Sequence, residues 1–226
     1  MIQRQRPILS RSVRQKIRGW APYWGGSFRQ SHKMSLLRPL LYALEKKRKL
    51  GTVILDIGAG SPVVYETQIF SGEFFRESRP AIYYPTVGKQ IIRVDVATKH
   101  AFKSTDGMAL VRGDAEELEP TSLFLKKQLV RVARFLGINP RSKKPRVDTI
   151  LLSDILNYTD YRLVIPPLSR YLKRGGRIVI MNNPRYAIPE LLSDRRAMDY
   201  AEIVSFLRKE GYVIEQNGEI IVARRR

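Results

Sequence analysis

The sequence contains no cysteine and only two histidines. Without cysteine there can be no disulfide framework, no zinc–thiolate site and no thiol nucleophile. His32 and His100 are solitary and lack the spacing of paired ligands, so no metal site is predicted. No apolar run approaches the roughly 18 residues of a membrane span, and the start lacks the apolar region of a signal peptide. A cytoplasmic location is predicted, while the Arg-rich, acid-poor first 30 residues leave an organellar transit peptide open.

Acidic residues are few, and two segments of the chain lack them almost completely. The chain has 41 Lys or Arg against 21 Asp or Glu, a formal net charge of +20. Residues 1–50 hold 13 basic residues and one acid, Glu45, and residues 121–147 hold eight basic residues and no acid. The remainder is neutral. Two concentrated basic segments predict a polyanionic partner, because each neutralised phosphate releases counterions and adds affinity.

Aromatic side chains alternate with the basic ones in residues 1–33, a predicted basic arm preceding a domain at residues 34–226. Trp20 and Trp24 carry aromatic rings of the kind on which bases of single-stranded RNA stack. Two alternatives stay open: these rings fasten the arm to the domain, or the arm binds an anionic lipid surface. Residues 34–50 are predicted to form a helix, and residues 121–136 an amphipathic one with a basic side.

Residues 53–62 form the most informative stretch, an apolar run that ends in Asp56 and turns through Gly58 and Gly60. Glycine permits positive φ and close approach of a ligand to the backbone. Open α/β sheets bind ligands at the carboxyl ends of their strands, so this turn is a candidate cofactor loop. A dinucleotide fingerprint needs a third glycine where Val63 stands. A nicotinamide cofactor and a turn that binds nothing remain alternatives.

The pattern Asp-x-Gly-x-Gly-x-Pro resembles the first motif of class I S-adenosylmethionine (SAM) methyltransferases, with Pro62 at the position of their usual third glycine. Further predicted strands follow in that family's order, at residues 91–95, 109–112, 147–152, 177–181, 211–216 and 219–223. The last two are joined by Asn217-Gly218, a sequence typical of tight hairpin turns. The resemblance implies an α/β, Rossmann-like, seven-stranded, mostly parallel sheet with an antiparallel last strand, preceded by a basic N-terminal helical extension.

The same resemblance implies the cofactor site. Asp95, at the end of the second strand, would hold the ribose hydroxyls of SAM, and the acid near the adenine amine would be Asp114. The full set of implied cofactor-binding residues is Asp56, Gly58, Ala59, Gly60, Asp95, Asp114, Ala115 and Ser153. Asp56 and Asp95 lie 39 positions apart, where a compact unit places its second acid about 20 residues on. An insertion at about residues 65–90 is therefore predicted, and Glu66 or Glu73 could replace Asp95.

Candidate catalytic residues follow the fourth strand, where such enzymes keep groups that face the substrate. Asp154 and Tyr158 are the predicted polar groups near the methyl acceptor. An alternative is that Ser153 or Asp154 only caps a helix beginning at Ile155. Residues 182–186 are interpreted as a loop on the substrate side.

These features predict a SAM-dependent methyltransferase that acts on RNA, ribosomal or transfer RNA, through residues 1–50 and 121–147. One alternative keeps SAM but transfers the methyl group to a small molecule, a lipid or a protein. Another is a catalytically inactive methyltransferase-like protein that binds a ribonucleoprotein.

Overall fold

The structure is a computed structural model. It describes residues 36–58, 64–66, 76–78, 85, 87–95, 102–105, 108–112, 130–131, 138, 146–153, 155–156, 160–182 and 200–226. Its helices are α1 (Arg38–Lys46), α2 (Tyr161–Ser169) and α3 (Tyr200–Lys209). Its strands are β1 (Val53–Ile57), β2 (Val64–Glu66), β3 (Arg76–Ser78), β4 (Gln90–Asp95), β5 (Phe102–Thr105), β6 (Met108–Arg112), β7 (Val147–Ser153), β8 (Leu172–Met181), β9 (Tyr212–Gln216) and β10 (Ile220–Arg225).

Eight of these strands form one mixed sheet in the order β5-β6-β4-β1-β7-β8-β10-β9. The pairs β6–β4, β4–β1, β1–β7 and β7–β8 are parallel. The last strand, β10, runs antiparallel to both β8 and β9, as predicted. All seven predicted strands are present.

The predicted count of seven is one too low, because β5 adds an antiparallel edge strand beside β6. The sequence of β5, Phe-Lys-Ser-Thr, has a single apolar residue, so no hydrophobic run marks it as a strand. The start of β8 also differs from the prediction. The strand begins at Leu172, and its pairing with β7 shifts in register before Arg177.

The predicted insertion at residues 65–90 contains β2 and β3, which pair antiparallel as a separate two-stranded sheet. The predicted arm at residues 1–33 lies outside the described residues. Of the predicted helix at residues 121–136, only residues 130–131 are described, and both are helical.

Apolar side chains pack on both faces of the main sheet. One face carries the larger cluster, with residues of α2 and α3 packed onto residues such as Leu55, Ile150 and Ile180. On the other face, Leu41 and Leu44 of α1 pack with Ile54 of β1 and other buried residues. The predicted helix at residues 34–50 is thus a shorter helix that closes one face of the core. None of the three described helices has the length and apolar content of a bilayer-spanning segment.

Charged side chains fasten the edge of the sheet at which the parallel strands begin, here called the amino edge. Asp148 of β7 accepts hydrogen bonds from the backbone amides of Thr52 (3.0 Å) and Val53 (2.9 Å) and from Lys173 Nζ (2.6 Å). Burial alone would raise the pKa of Asp148, but these hydrogen bonds outweigh it and hold the pKa below its ordinary value. The contacts join β1, β7 and β8 at this edge.

A second cluster at the amino edge centres on Arg177 of β8. Its guanidinium donates to both carboxylate oxygens of Glu215 on β9, at 2.8 and 3.0 Å, and to the carbonyl oxygen of Lys49 at 3.0 Å. The hydrogen bond from Arg177 is the main reason that the pKa of Glu215 lies below its ordinary value. A two-pronged arginine–carboxylate contact of this kind is geometrically specific, so it fixes β8 against β9.

Candidate functional site

The order in which successive strands are added to the sheet reverses at β1. From β1 the chain proceeds to β4 and β6 on one side, and it then returns to place β7 on the other side. The gap between the carboxyl ends of β1 and β7 is therefore the topological switch point, where open α/β sheets bind their ligands. The predicted cofactor loop begins at this point.

Strand register aligns the ends of five strands there. Ile57 of β1 pairs with Val94 of β4 and Leu152 of β7. The next position of each strand therefore lies at one level, and it holds three predicted site residues: Gly58, Asp95 and Ser153. Met181 of β8 pairs with Ser153 and Arg112 of β6 pairs with Asp95, which extends the row in both directions.

Gly58 is required at its position for two reasons. Its φ is +73°, a conformation that residues with a side chain rarely adopt. A Cβ atom at this position would also stand 3.2 Å from the Cβ of Ile155 and from the carbonyl oxygen of Ser153. The amide of Gly58 donates to the carbonyl oxygen of Val94 at 2.9 Å. The turn after β1 is therefore pinned between the ends of β4 and β7.

Asp56 lies inside β1, not beyond its end, and its side chain is completely buried. Its Oδ2 stands 3.7 Å from Nε of Arg93, the residue that pairs with it on β4. A buried carboxylate is costly unless an opposite charge and hydrogen bonds compensate it. The Arg93 guanidinium supplies that charge, so the two side chains form an ion pair beneath the row of strand ends.

Sequence reasoning missed Arg93. A signal for it existed, because Arg93 interrupts the apolar run Ile91-Ile92-Arg93-Val94. A charged residue within a buried parallel strand needs a partner, and the acid near the end of the neighbouring strand was available.

Ser153 and Asn182 bring buried polar atoms to the ends of β7 and β8. Asn182 Oδ1 accepts a hydrogen bond from the amide of Leu156 at 3.1 Å, and Tyr200 Oη donates to the Asn182 carbonyl oxygen at 2.8 Å. The Asn182 Nδ2 and Ser153 Oγ atoms are buried and find no hydrogen-bond partner in the described part of the chain. Such atoms are candidates for contact with a bound ligand or water, because unsatisfied buried polar groups are rare in native proteins.

The alternative role of Ser153 as the cap of a helix from Ile155 is wrong. Ile155 and Leu156 are not helical, and α2 begins at Tyr161. Asp160 is its N-cap, with Oδ1 accepting from the amide of Arg162 at 2.9 Å. This is the ordinary hydrogen bond of an aspartate at a helix N-terminus.

Of the ten predicted site residues, the structure describes Asp56, Gly58 and Ser153 fully and Asp95 in its backbone position. Gly58, Asp95 and Ser153 lie at the ends of three adjacent strands, and Asp56 lies within β1 beneath them. The other predicted cofactor-binding residues, Ala59, Gly60, Asp114 and Ala115, and the candidate catalytic residues Asp154 and Tyr158, lie outside the described residues.

Comparison with known proteins yields similarity to solved structures only. No protein-family model matches the chain, and no curated protein matches it. The chain is similar to the methyltransferase MycE of the mycinamycin biosynthetic pathway, solved with Mg and S-adenosylhomocysteine, at 14% identity over 83% of this chain and 49% of MycE, with a TM-score of 0.45. The chain thus spans about half the length of MycE.

Two further solved structures match over most of their own length. A SAM-dependent methyltransferase of Methanococcus maripaludis, named as putative, shares 13% identity over 99% of this chain and 95% of that one, with a TM-score of 0.45. A caffeoyl-CoA O-methyltransferase of Staphylococcus aureus, also named as putative, shares 12% identity over 86% and 83% of the two chains, with a TM-score of 0.43.

Proposed function

We propose that the chain is a class I SAM-dependent methyltransferase that acts on RNA. The methyltransferase assignment rests on the strand order β6-β4-β1-β7-β8-β10-β9, in which only β10 is reversed among these seven strands. It rests equally on the glycine turn that follows β1. The turn lies at the topological switch point, the position at which this architecture holds its ligand.

The described residues suit such a cofactor. Gly58 keeps the turn close to the ends of β4 and β7, and Ser153 Oγ is a polar atom without a partner in the described part of the chain. We assign cofactor binding to Gly58, Ala59, Gly60, Asp95, Asp114, Ala115 and Ser153. When bound there, SAM would supply a methyl group on a positively charged sulfur for in-line displacement.

The role proposed for Asp56 differs from direct contact with the cofactor. Its carboxylate is fully buried beside Arg93, two residues before the row that Gly58, Asp95 and Ser153 occupy. We therefore assign Asp56 and Arg93 as positioning residues that hold the ends of β1 and β4 in register. Asp95 remains the residue proposed to accept hydrogen bonds from the ribose hydroxyls.

The chemistry asked of the chain itself is modest. Much of the rate of an in-line displacement comes from holding the nucleophile and the methyl group in line. Asp154 and Tyr158, which follow β7, are proposed to hold the acceptor. A general base is needed only if the acceptor must lose a proton, and Asp154 is the proposed base in that event.

RNA is the proposed acceptor because the whole excess of positive charge lies in residues 1–50 and 121–147. In the sequence, the first segment precedes β1, and the second lies between β6 and β7. Affinity for a phosphate backbone grows with each basic contact. A second candidate function is a catalytically inactive, ribonucleoprotein-bound protein, which is favoured by Pro62 at the position of the family's third glycine.

Binding of SAM tests the cofactor site, with Asp95→Asn as the variant. Asn keeps the shape of Asp but removes the charge, and hydrogen bonds to a charged group contribute about 1.5–3 kcal/mol. We expect calorimetry to show SAM affinity reduced about tenfold to a hundredfold. Glu202→Gln, a change at an exposed acid of α3, is the matched control and should bind as the wild type does. Equal affinity in all three proteins would contradict the assignment of Asp95.

The acceptor is tested with methyl-labelled SAM and cell extract separated into RNA, protein and lipid or small-molecule fractions. We expect label in the RNA fraction only, and ribonuclease treatment should remove it. Label in the protein fraction or in the lipid and small-molecule fraction instead would show that the acceptor belongs to that class and is not RNA. Binding of SAM without transfer to any fraction would favour the inactive protein.

A further inference from the structure

Exposed basic residues from four parts of the chain gather at the amino edge of the sheet, the edge opposite the glycine turn. They follow α1, they lie in the turn from α2 to β8 and near the start of β8 itself, and one follows β10. This surface is here called the basic amino edge, and its exposed members are Lys47, Arg48, Lys49, Arg170, Arg174 and Arg226.

Hydrogen bonds between these segments show that they form one surface. Arg146, which precedes β7, donates from Nη1 to the carbonyl oxygen of Arg170 at 3.4 Å. Arg225 of β10 donates from Nη1 to the carbonyl oxygens of Ser169 and Leu172, at 2.5 and 2.6 Å. Arg177 ties the carbonyl oxygen of Lys49 to the same edge. The turns before β1, β7 and β8 and the end of β10 are thereby held together.

Three acids at this edge already pair with other cations. Asp148 pairs with Lys173, Glu215 with Arg177 and Arg224, and Glu45 with Lys89. Within the described part of the chain, the six members of the basic amino edge form no ion pair with these acids. Their charge therefore faces solvent, where it attracts anions.

The basic amino edge joins the two charged segments of the sequence. Lys47 to Lys49 end the first segment, residues 1–50, and Arg146 ends the second, residues 121–147. Residues 224–226 add a third group of arginines, although they belong to the part of the sequence whose basic and acidic residues balance. The fold thus concentrates positive charge more than the linear sequence indicates.

We propose that the basic amino edge is a docking surface for the phosphate backbone of RNA, separate from the edge at which methyl transfer is proposed. The RNA identity of the partner rests on the proposed function. Arginine binds phosphate in a two-pronged geometry, and four of the six members are arginines. Basic surfaces that dock stably on a lipid bilayer commonly combine their charge with apolar side chains that insert. Among the described residues, the only exposed large hydrophobic ones are Tyr42 and Val87.

The separation of the two edges constrains the substrate. β7 has seven residues, and a strand rises about 3.3 Å per residue, so the edges lie roughly 20 Å apart. An RNA that docks on one edge and is methylated at the other must reach around the sheet. The proposal therefore favours a folded RNA over a short fragment as substrate.

The test compares the triple variant Arg170→Gln, Arg174→Gln and Arg226→Gln with Arg162→Gln. Arg162 is an exposed arginine at the opposite end of α2 from Arg170. Affinity for transfer RNA and for a labelled single-stranded homopolymer is measured without SAM, between about 50 and 200 mM salt. For the homopolymer, we expect the triple variant to lower the slope of log affinity against log salt by about 2, and to bind roughly tenfold more weakly at low salt.

Arg162→Gln should leave the slope unchanged. A second variant, Lys47→Gln with Lys49→Gln, repeats the test at the segment after α1 if the triple variant fails to fold. An unchanged slope in the folded variants would overturn the proposal. So would loss of binding to anionic phospholipid vesicles with RNA affinity intact, which would assign the surface to a membrane. If the triple variant weakens RNA binding as expected but the wild-type protein binds no SAM, the methyltransferase proposal is wrong and the docking-surface proposal still holds.

Discussion

Asp56 and Arg93 are a buried ion pair in the middle of the sheet, at 0% and 2% exposure. Removing one member of such a pair leaves an uncompensated charge in an apolar environment, which typically costs 3–5 kcal/mol. Replacing both by apolar residues of similar size is often neutral. The pair is therefore a means of fixing two strands in register, and its contribution is best measured one member at a time.

Arg93→Met should lower the free energy of unfolding by about 3–5 kcal/mol, because it removes the opposite charge beside the buried Asp56 carboxylate. Denaturant unfolding followed by circular dichroism measures the change. The double variant Asp56→Leu with Arg93→Met is the control, and we expect it to recover at least half of the loss. A double variant less stable than Arg93→Met would show that the charge on Asp56 is satisfied elsewhere.

Asp148 should make stability depend on acid pH. Its pKa in the folded protein lies below the ordinary value of 3.8. The stabilisation it provides is therefore complete above that value and is lost as the pH falls through the folded pKa. At neutral pH, Asp148→Asn should lose about 1 kcal/mol of unfolding free energy and therefore melt at a lower temperature than the wild type. Below pH 4, its melting temperature should fall less steeply with pH than that of the wild type. Melting curves of Asp148→Asn that run parallel to the wild type throughout this range would contradict the assignment.

At the scale of secondary-structure elements, α1 illustrates how sequence position and role differ. It follows the predicted basic arm in the sequence, and its buried leucines complete one face of the core. Pro39 is placed at the start of the helix, where the missing amide would lack an intrahelical partner in any event. The helix is thus both part of the fold and the carrier of the basic residues that follow it.

Leu41→Ala and Tyr42→Ala, at neighbouring positions of α1, distinguish these roles. Leu41 is fully buried, so its truncation should cost about 2–5 kcal/mol of unfolding free energy. Tyr42 is 45% exposed and packs its ring near Arg38. Its truncation should cost about 1 kcal/mol or less. Similar costs for both variants, measured by denaturant unfolding, would mean that α1 does not close the core as described.

At the scale of the whole molecule, the sequence predicted the central sheet well, because the parallel strands contain runs of apolar residues, and polar residues end β4, β6 and β7. It did not predict β5, which is short and polar, because edge strands need little burial. It also did not predict the Asp56–Arg93 pair or the basic amino edge. Both arise from contacts between residues far apart in the chain, such as Arg177 with Lys49, and local patterns do not encode them.

Deletion of residues 1–33 should separate folding from RNA binding. The deleted segment holds eight basic residues and no acid, while the first described helix begins only at Arg38. We expect the shortened protein to melt and to bind SAM as the full chain does, and to bind RNA with a smaller salt dependence. Loss of the folded state, detected by circular dichroism, would show instead that the arm is part of the core.

The short strand β5 has one further consequence. Without it, β6 would end the sheet with a row of unpaired backbone groups, a template on which another chain can add a strand. Within the described part of the chain, the four residues of β5 cover β6 and leave a short border in its place. Polymerisation through this border is thereby discouraged, so a concentrated solution of the protein should resist forming fibres from that side.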